Sequence, residues 1–181
     1  MTLRPATTGD LTAIQAIYAH HVLNGLGTFE EAPPTVEEMA VRFAAVRDRG
    51  LPWLVAEEDG KVLGYAYAGA FRPRAAYRYT VEDSIYVAPH AAGRGLGRSL
   101  LQALIADCEA RGLRQMAAVI GDSGNAASIG LHTSCGFELK AVLPGLGFKF
   151  GRWVDVVWMQ RALNDGAGRA PDAPGLALSG A

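Results

Sequence analysis

The sequence predicts one mixed α/β domain whose central, mostly antiparallel sheet is flanked by helices. Three observations lead there. A chain of 181 residues fits a single domain with a substantial core. Stretches with period-two alternation and stretches with helical spacing follow in the order strand, two helices, three strands, helix, strand, helix, two strands. Two of the middle strands flank Glu58-Asp59-Gly60-Lys61, a hairpin signature that makes that part of the sheet antiparallel.

Leu3-Arg4-Pro5-Ala6 reads as a short opening strand. Thr7-Thr8-Gly9-Asp10 offers a Thr-x-x-Asp form of the capping box to a helix whose apolar side is Leu11, Ile14, Ile17, Tyr18, His21 and Val22. Asn24-Gly25 and Gly27 break it. After Pro33-Pro34, Thr35-x-x-Glu38 caps a second helix that buries Val36, Met39, Ala40, Phe43 and Val46 before Gly50 stops it. Pro52–Glu57 and Val62–Ala68 form the hairpin, Phe71–Tyr77 is a loop, and Tyr79–Val87 is the third strand, which Pro89 ends for want of an N–H. Leu100, Leu101, Leu104, Ile105 and Cys108 mark the central helix, stopped at Gly112. Gln115–Ile120 is a buried strand, Gly121–Asn125 a turn and Ala126–Ser134 a short helix. Phe137–Leu143 and Trp153–Leu163 close the sheet, joined across the glycine-rich stretch Gly145–Gly151. From Asn164 the composition shifts to Gly, Ala, Pro and Asp without periodicity. Residues 1–163 are thus expected to be the domain and 164–181 a disordered tail.

Composition removes several classes of function. A net charge of -1 argues against a nucleic-acid partner, which wants a concentrated basic face. No apolar run reaches membrane-spanning length, and the N-terminus leads straight into structured pattern, so no membrane and a soluble cytoplasmic protein are expected. Cys108 and Cys135 have no framework spacing and are expected reduced and buried. His20, His21, His90 and His132 lack metal-ligand spacing, so no metal is expected.

The chemistry centres on Val81–Leu101. Gly93, Gly95 and Gly97 alternate between a strand and a helix, where backbone N–H groups and the helix N-terminus favour a phosphate or pyrophosphate. The third glycine comes one residue early for the dinucleotide fingerprint, and no lysine is present for a Walker loop. R-G-x-G after strand-V-x-P instead resembles the pyrophosphate loop of the GNAT superfamily of N-acetyltransferases, which bind acetyl-CoA. Gly95 and Gly97 match, while Ala92 stands where glutamine or arginine is usual. The element order is also that of a GNAT domain. T-V-E-x-S-I-Y-V, A-V-I-G-x-x-x-N-x-x-S-I-x-L-H-x-x-x-G-F and G-x-K-x-G-x-W-x-D are similar to the phosphinothricin acetyltransferase branch, as are the opening R-P-A-T-x-x-D and P-R-A-A-Y. The likeness runs from Leu3 to about Leu163. That branch acetylates the α-amine of glutamate-like compounds: phosphinothricin, methionine sulfoximine and methionine sulfone.

An amino acid's amine is mostly protonated near neutral pH, and only its neutral form attacks a thioester, so a base is needed. The resemblance makes Glu82 that base; read alone it is a strand glutamate in an ion pair. Asp83 points to the opposite face, so the two are not a catalytic pair. The resemblance puts oxyanion donors on the main chain of Ile85, Tyr86 and Val87. It puts acetyl-CoA contacts on Gly93, Arg94, Gly95, Leu96, Gly97, Arg98 and Asn125, which is also a natural N-cap. It gives His132 a part in proton relay, against a purely packing or hydrogen-bonding role.

The acceptor's carboxylate wants a forked cation: Arg74 in P-R-A-A-Y, with Arg72 in reserve. Ala75 belongs to the same motif, and Tyr77 and Phe29 are candidate pocket walls, though Phe29 equally suits pinning its loop to the body. Lys149 could meet an anionic substrate or a second subunit. Trp153, Trp158, Val154 and Val156 suit core or dimer contact, a homodimer being implied by the resemblance. Two alternatives stand beside the amino-acid acceptor. Another amine as acceptor, such as a polyamine, peptide N-terminus or antibiotic, is disfavoured for a polycation by Arg72 and Arg74. A non-catalytic acyl-CoA sensor is disfavoured by Glu82.

Overall fold

The computed structural model describes residues 1–178. Its elements follow the expected order: β1 (Thr2–Pro5), α1 (Leu11–Asn24), α2 (Val36–Asp48), β2 (Trp53–Glu58), β3 (Lys61–Ala70), β4 (Thr80–Val87), α3 (Leu96–Ala110), β5 (Gln115–Gly121), α4 (Ala126–Ser134), β6 (Glu138–Lys149) and β7 (Arg152–Ala162). One seven-stranded sheet has the order β1-β2-β3-β4-β5-β7-β6. Five of its neighbouring pairs are antiparallel. The exception is β4 with β5, which α3 joins as a crossover and which therefore run parallel. This is the mixed α/β class the sequence predicts.

The first capping box forms between Thr7 and Asp10 as expected, but on a short turn that precedes α1. Thr8–Asp10 is a separate 3-10 turn, and Asp10, buried, accepts from Thr7 N–H at 2.8 Å and from both Arg4 terminal nitrogens at 2.8 Å. Arg4 also reaches Glu57, so this group ties β1, β2 and the start of α1 together. The second box is as expected, with Glu38 N–H donating to Thr35 Oγ1 at 3.1 Å and Thr35 N–H to Glu38 at 2.7 Å.

The two sheet faces carry different cores. On one, α1 and α2 cover an aromatic layer in which Trp53 stacks on Tyr67 at 4.2 Å and Tyr18 meets Tyr86 edge-on at 4.9 Å. On the other, α3 buries Leu100, Leu101, Leu104, Ile105 and Cys108. Alternation along β4 therefore sends Tyr86 towards α1 and Asp83 towards α4.

The final hairpin departs from expectation. The glycine-rich stretch is not a connection: β6 continues through it to Lys149, and the turn is Phe150-Gly151, both with positive φ, as a two-residue type I′ turn requires. A register shift between Leu143 and Gly147 absorbs the extra residues as a bulge. Two glycines nearby are seats for another segment. The Phe29 ring lies over Gly147, and a Cβ on Gly121 would run into the carbonyl of Leu26.

Beyond β7 the backbone is irregular through Leu178, as the composition suggests, yet it is held against the body. Buried Arg114 donates to Gly166 O at 2.9 Å and Arg169 O at 3.1 Å. Tyr79 Oη donates to Ala173 O at 2.6 Å, and Leu176 packs on the core. The sequence lacks periodicity here, but carbonyls bonded by side chains of the body need none. The expectation of disorder for 179–181 lies outside the described residues. Both cysteines are free and buried. Among the described residues no helix is long and apolar enough to cross a membrane.

Gly121→Ala forces a methyl into the Leu26 carbonyl and is expected to cost about 1–3 kcal/mol. Gly130→Ala on α4, with open space at its Cβ, is expected to be neutral or to add up to about 1 kcal/mol. Urea unfolding of the two variants checks the contrast.

Candidate active site

β4 and β5 pair only over Thr80–Glu82 with Gln115–Ala117, and then part. A cleft of about 500 Å³ opens between them. Its walls are β4 from Glu82 to Val87, the loop residues 91–93 and 95–97, β5 from Ala118 to Ile120, and α4 through Ala127, Ser128, Leu131 and His132; His21, Gly27, Thr28 and Asn125 also line it.

The ladder's phase decides which amides face the gap. Ala88 N–H bonds Leu63 O and Phe71 N–H bonds Thr80 O, at the two ends of the β3–β4 pairing. In an antiparallel ladder bonded positions alternate, so Glu82, Ser84 and Tyr86 spend their N–H groups on β3. Ile85 and Val87 turn theirs towards β5, which has already diverged. Tyr86, grouped with them in the sequence reading, contributes its ring to the α1 side instead. The Val87 carbonyl is taken by His21 Nε2 at 2.9 Å, and burial lowers the His21 pKa, so a neutral Nε2–H donates.

The loop before α3 is shaped by φ. Gly93 and Gly95 sit at +76° and +80°, and Gly95 is the N-cap of α3 with no side-chain capping bond. The first-turn N–H groups of α3 are thus left without a side-chain partner at the cleft, the usual condition for an anion site. No heavy atom lies within 4 Å of a Cβ built on either glycine. These features fit a pyrophosphate. Arg94 turns onto Glu58 at 2.7 Å, and Arg98 is exposed. Asn125 caps α4 by accepting from Ser128 N–H at 3.2 Å while lining the cleft.

The adjacent carboxylates of β4 have opposite surroundings. Glu82 is partly buried and, among the described residues, makes no side-chain hydrogen bond. Burial raises its pKa, the Arg72 charge pulls it back, and Asp83 raises it further. Asp83, 2% exposed, receives His132 Nε2 at 3.0 Å, and His132 Nδ1 meets Ser128 O at 2.8 Å. Both ring nitrogens face acceptors, an arrangement that suits the imidazolium. Burial lowers the His132 pKa, but the Asp83 bond and charge, with the Ser128 carbonyl, outweigh it and the net value is raised. Asp83 Oδ1 is buried without a partner. The sequence places Asp83 on the face opposite Glu82 but does not reveal the pair. An inward-facing strand acid that must find a partner was the available signal.

None of the acceptor candidates is among the residues lining the cleft. Arg72 stacks on Phe71, 4.6 Å from its centroid, and is the arginine whose charge reaches Glu82. Arg74 caps the turn Ala75–Tyr77 through its backbone, and Ala75 and Tyr77 are exposed on that turn. Phe29, 39% exposed, lies across Gly121 and Gly147 on the far lip. Lys149 takes neither role its motif suggested. Its Nζ, 1% exposed, donates to Gly25 O at 2.9 Å and Thr28 O at 2.8 Å, because the loop crossing β6 needs its inward carbonyls bonded. The same loop is fixed by Tyr18, whose hydroxyl bonds Thr28 and Glu30 at 2.8 Å, and by Arg42 on Glu30. Trp153 is 68% exposed, whereas Val154 and Val156 are core.

A family model described as the acetyltransferase (GNAT) family matches residues 14–137. A phosphinothricin N-acetyltransferase of Alcaligenes faecalis is 58% identical over 171 residues, covering 94% of this chain and 87% of that protein. An L-methionine sulfoximine/L-methionine sulfone acetyltransferase of Salmonella typhimurium is 44% identical over 173 residues, 96% of this chain and 99% of that one. The crystal structure of a GNAT superfamily phosphinothricin acetyltransferase from Sinorhizobium meliloti in complex with AcCoA superposes with a TM-score of 0.91 at 50% identity. That match covers 94% of this chain and 92% of that chain.

The buried pair carries a pH signature. With its folded pKa above the unfolded value of about 6.5, His132 contributes stability that is full below that pH and lost as pH rises through the raised value. Asp83→Asn is expected to remove this slope and to cost about 3 kcal/mol or more. Urea unfolding at neutral and alkaline pH checks it, and an unchanged slope in the variant would detach the effect from this pair.

Proposed function

The chain belongs to the acetyltransferase (GNAT) family, and from that premise we propose that it acetylates the α-amine of a glutamate- or methionine-like amino acid such as phosphinothricin, methionine sulfoximine or methionine sulfone. The donor is acetyl-CoA, and Glu82 is the general base. The observation that carries this reading is a partly buried carboxylate that makes no side-chain hydrogen bond among the described residues, placed where β4 leaves β5. The relatives' acceptors, as their names give them, supply the substrate class.

Bound acetyl-CoA supplies an activated thioester carbonyl. The open first turn of α3, with Gly93 to Arg98, would hold its pyrophosphate. The amides of Ile85 and Val87 would donate to the carbonyl oxygen as charge grows on it. Glu82 takes the amine's proton as the N–C bond forms; the C–S bond breaks, and the departing thiolate acquires a proton from solvent. Direct transfer agrees with the cysteines. Burial pushes the Cys108 thiol up to about 12, which leaves it a poor nucleophile. The elevated Glu82 pKa lets the base hold a proton better than a free carboxylate. Arg72, beside Glu82, suits an acceptor that carries a carboxylate and works against a polycation.

We also infer a homodimer built on β6 and its hairpin. β6 ends the sheet, and Leu146, Phe148, Phe150 and Trp153 are between 57% and 68% exposed there.

Glu82→Gln should lower kcat by about 10²–10⁴-fold with acetyl-CoA KM nearly unchanged, read as CoA release with methionine sulfone as acceptor; undiminished turnover would take the base elsewhere. Trp153→Glu should convert the dimer to monomer in sedimentation velocity, and an unshifted coefficient would put the subunit contact on another face.

A further inference from the structure

The loop from Phe71 to Tyr79, which carries Arg72 and Arg74, has little to hold it. Its two ends are fixed, Phe71 by packing on Trp158 and Tyr79 by its carbonyl accepting from Arg114 and Gln115 N–H. Residues 72–78 between them are all exposed. They are held by one turn, Tyr77 N–H to Arg74 O at 2.9 Å and Arg78 N–H to Ala75 O at 3.1 Å, and by Tyr77 edge-on to Phe71. A loop with no buried side would ordinarily sample many positions. Here the C-terminal segment crosses it. Tyr79 Oη donates to Ala173 O at 2.6 Å, and Leu176 N–H donates to Arg78 O at 2.8 Å. Between those bonds Gly175, at φ +73°, passes so close that a Cβ would lie 2.8 Å from both Arg78 O and the Tyr79 ring. Leu176 anchors in the core. Leu178 forms one wall of a second cavity, about 380 Å³, whose other walls include Phe71, Arg72 and Pro73. The segment thus bonds one end of the loop and borders a cavity at the other.

We propose that residues 173–178 are a strap that sets affinity for the amino-acid acceptor by fixing the arginine-bearing loop beside Glu82. The strap rests on the reading that this loop receives the acceptor's carboxylate. It acts through position alone, since none of its residues lines the catalytic cleft. Nor does it touch the glycine loop at the head of α3. Its contact with α3 is at the far end, where Ala173 Cβ lies 3.1 Å from a Cβ built on Gly112. The strap should therefore separate the two substrates, acting on the acceptor and leaving acetyl-CoA alone.

The upstream anchor makes a clean truncation possible. Arg114, 5% exposed, bonds the carbonyls of Gly166 and Arg169. A stop after Ala170 removes the strap but leaves this buried charge satisfied. Gly175→Val and Tyr79→Phe are the two point variants, the first pushing the strap off the loop and the second deleting one bond; they carry the test if the truncated chain fails to fold. With methionine sulfone as acceptor, losing one or two loop hydrogen bonds should raise its KM by about fivefold to tenfold. The KM for acetyl-CoA and the kcat at saturation should stay within about twofold. Amide hydrogen exchange across residues 71–79 should quicken. Faster exchange with an unmoved acceptor KM would overturn the proposal, as would a parallel fall in kcat and rise in both KM values with a lowered Tm. Arg72→Ala and Arg74→Ala in the same series separate the two ideas. If neither raises the acceptor KM, the carboxylate reading has failed, whatever the exchange data say of the strap.

Discussion

β4 is paired along its whole length with β3 but keeps β5 for only three residues. The amides of Ile85 and Val87, which face away from β3 past the end of the β5 pairing, have lost their strand partner, and buried backbone groups left that way are costly. The chain settles part of that cost with side chains: His21 takes the Val87 carbonyl, and the amides of Ile85 and Val87 remain for whatever enters the cleft. Parting also brings the uncapped start of α3, the head of α4 and the Glu82 carboxylate around one space. Had β5 stayed in register for two more residues, the sheet would be more regular and the cleft would be closed by its own ladder.

The same strand shows how one residue of offset assigns two carboxylates to different tasks. Glu82 faces the α1 and α2 side, partly buried, with the Arg72 charge near and, among the described residues, no hydrogen bond to fix it in the charged form. Asp83 faces α4 and is sealed in a pair with His132. Burial raises the Glu82 pKa with no hydrogen bond to oppose it among the described residues, whereas Asp83 is held by the hydrogen bond from His132.

Much of this was legible in the sequence because it depends on local rules. Alternation gave the strands, capping residues and glycines bounded the helices, and positive φ at Gly93 and Gly95 follows from the residues themselves. What was not legible depends on contacts far apart in the chain. Gly147 reads as a breaker, yet it continues a strand because Phe29, more than a hundred residues earlier, lies on it. Lys149 reads as a contact for an anionic substrate or a second subunit, yet two loop carbonyls take its ammonium group. Arg114 falls between the stop at Gly112 and the strand from Gln115 and carries no signal of its own, while its guanidinium organises a tail whose composition gives no hint of order. Of the two arginines on the acceptor loop the sequence motif favours Arg74, whereas the charge that reaches Glu82 is that of Arg72.

His132 is where geometry weighs most against motif. A relay histidine must release one hydrogen bond to pass a proton on. Here Nδ1 is bound to the carbonyl one turn earlier on its own helix and Nε2 to a carboxylate, with the ring edge-on to Phe137 at 5.0 Å and only 4% of the residue exposed. Moving a proton out of this pair would leave a buried charge with no partner, at a cost of several kcal/mol. The arrangement is better suited to holding than to transferring: it ties α4 to β4 across the opening and so fixes the distance between the two walls of the cleft. This geometry suits His132 to positioning the site, and the proposed base stays Glu82, whose side chain makes no hydrogen bond among the described residues.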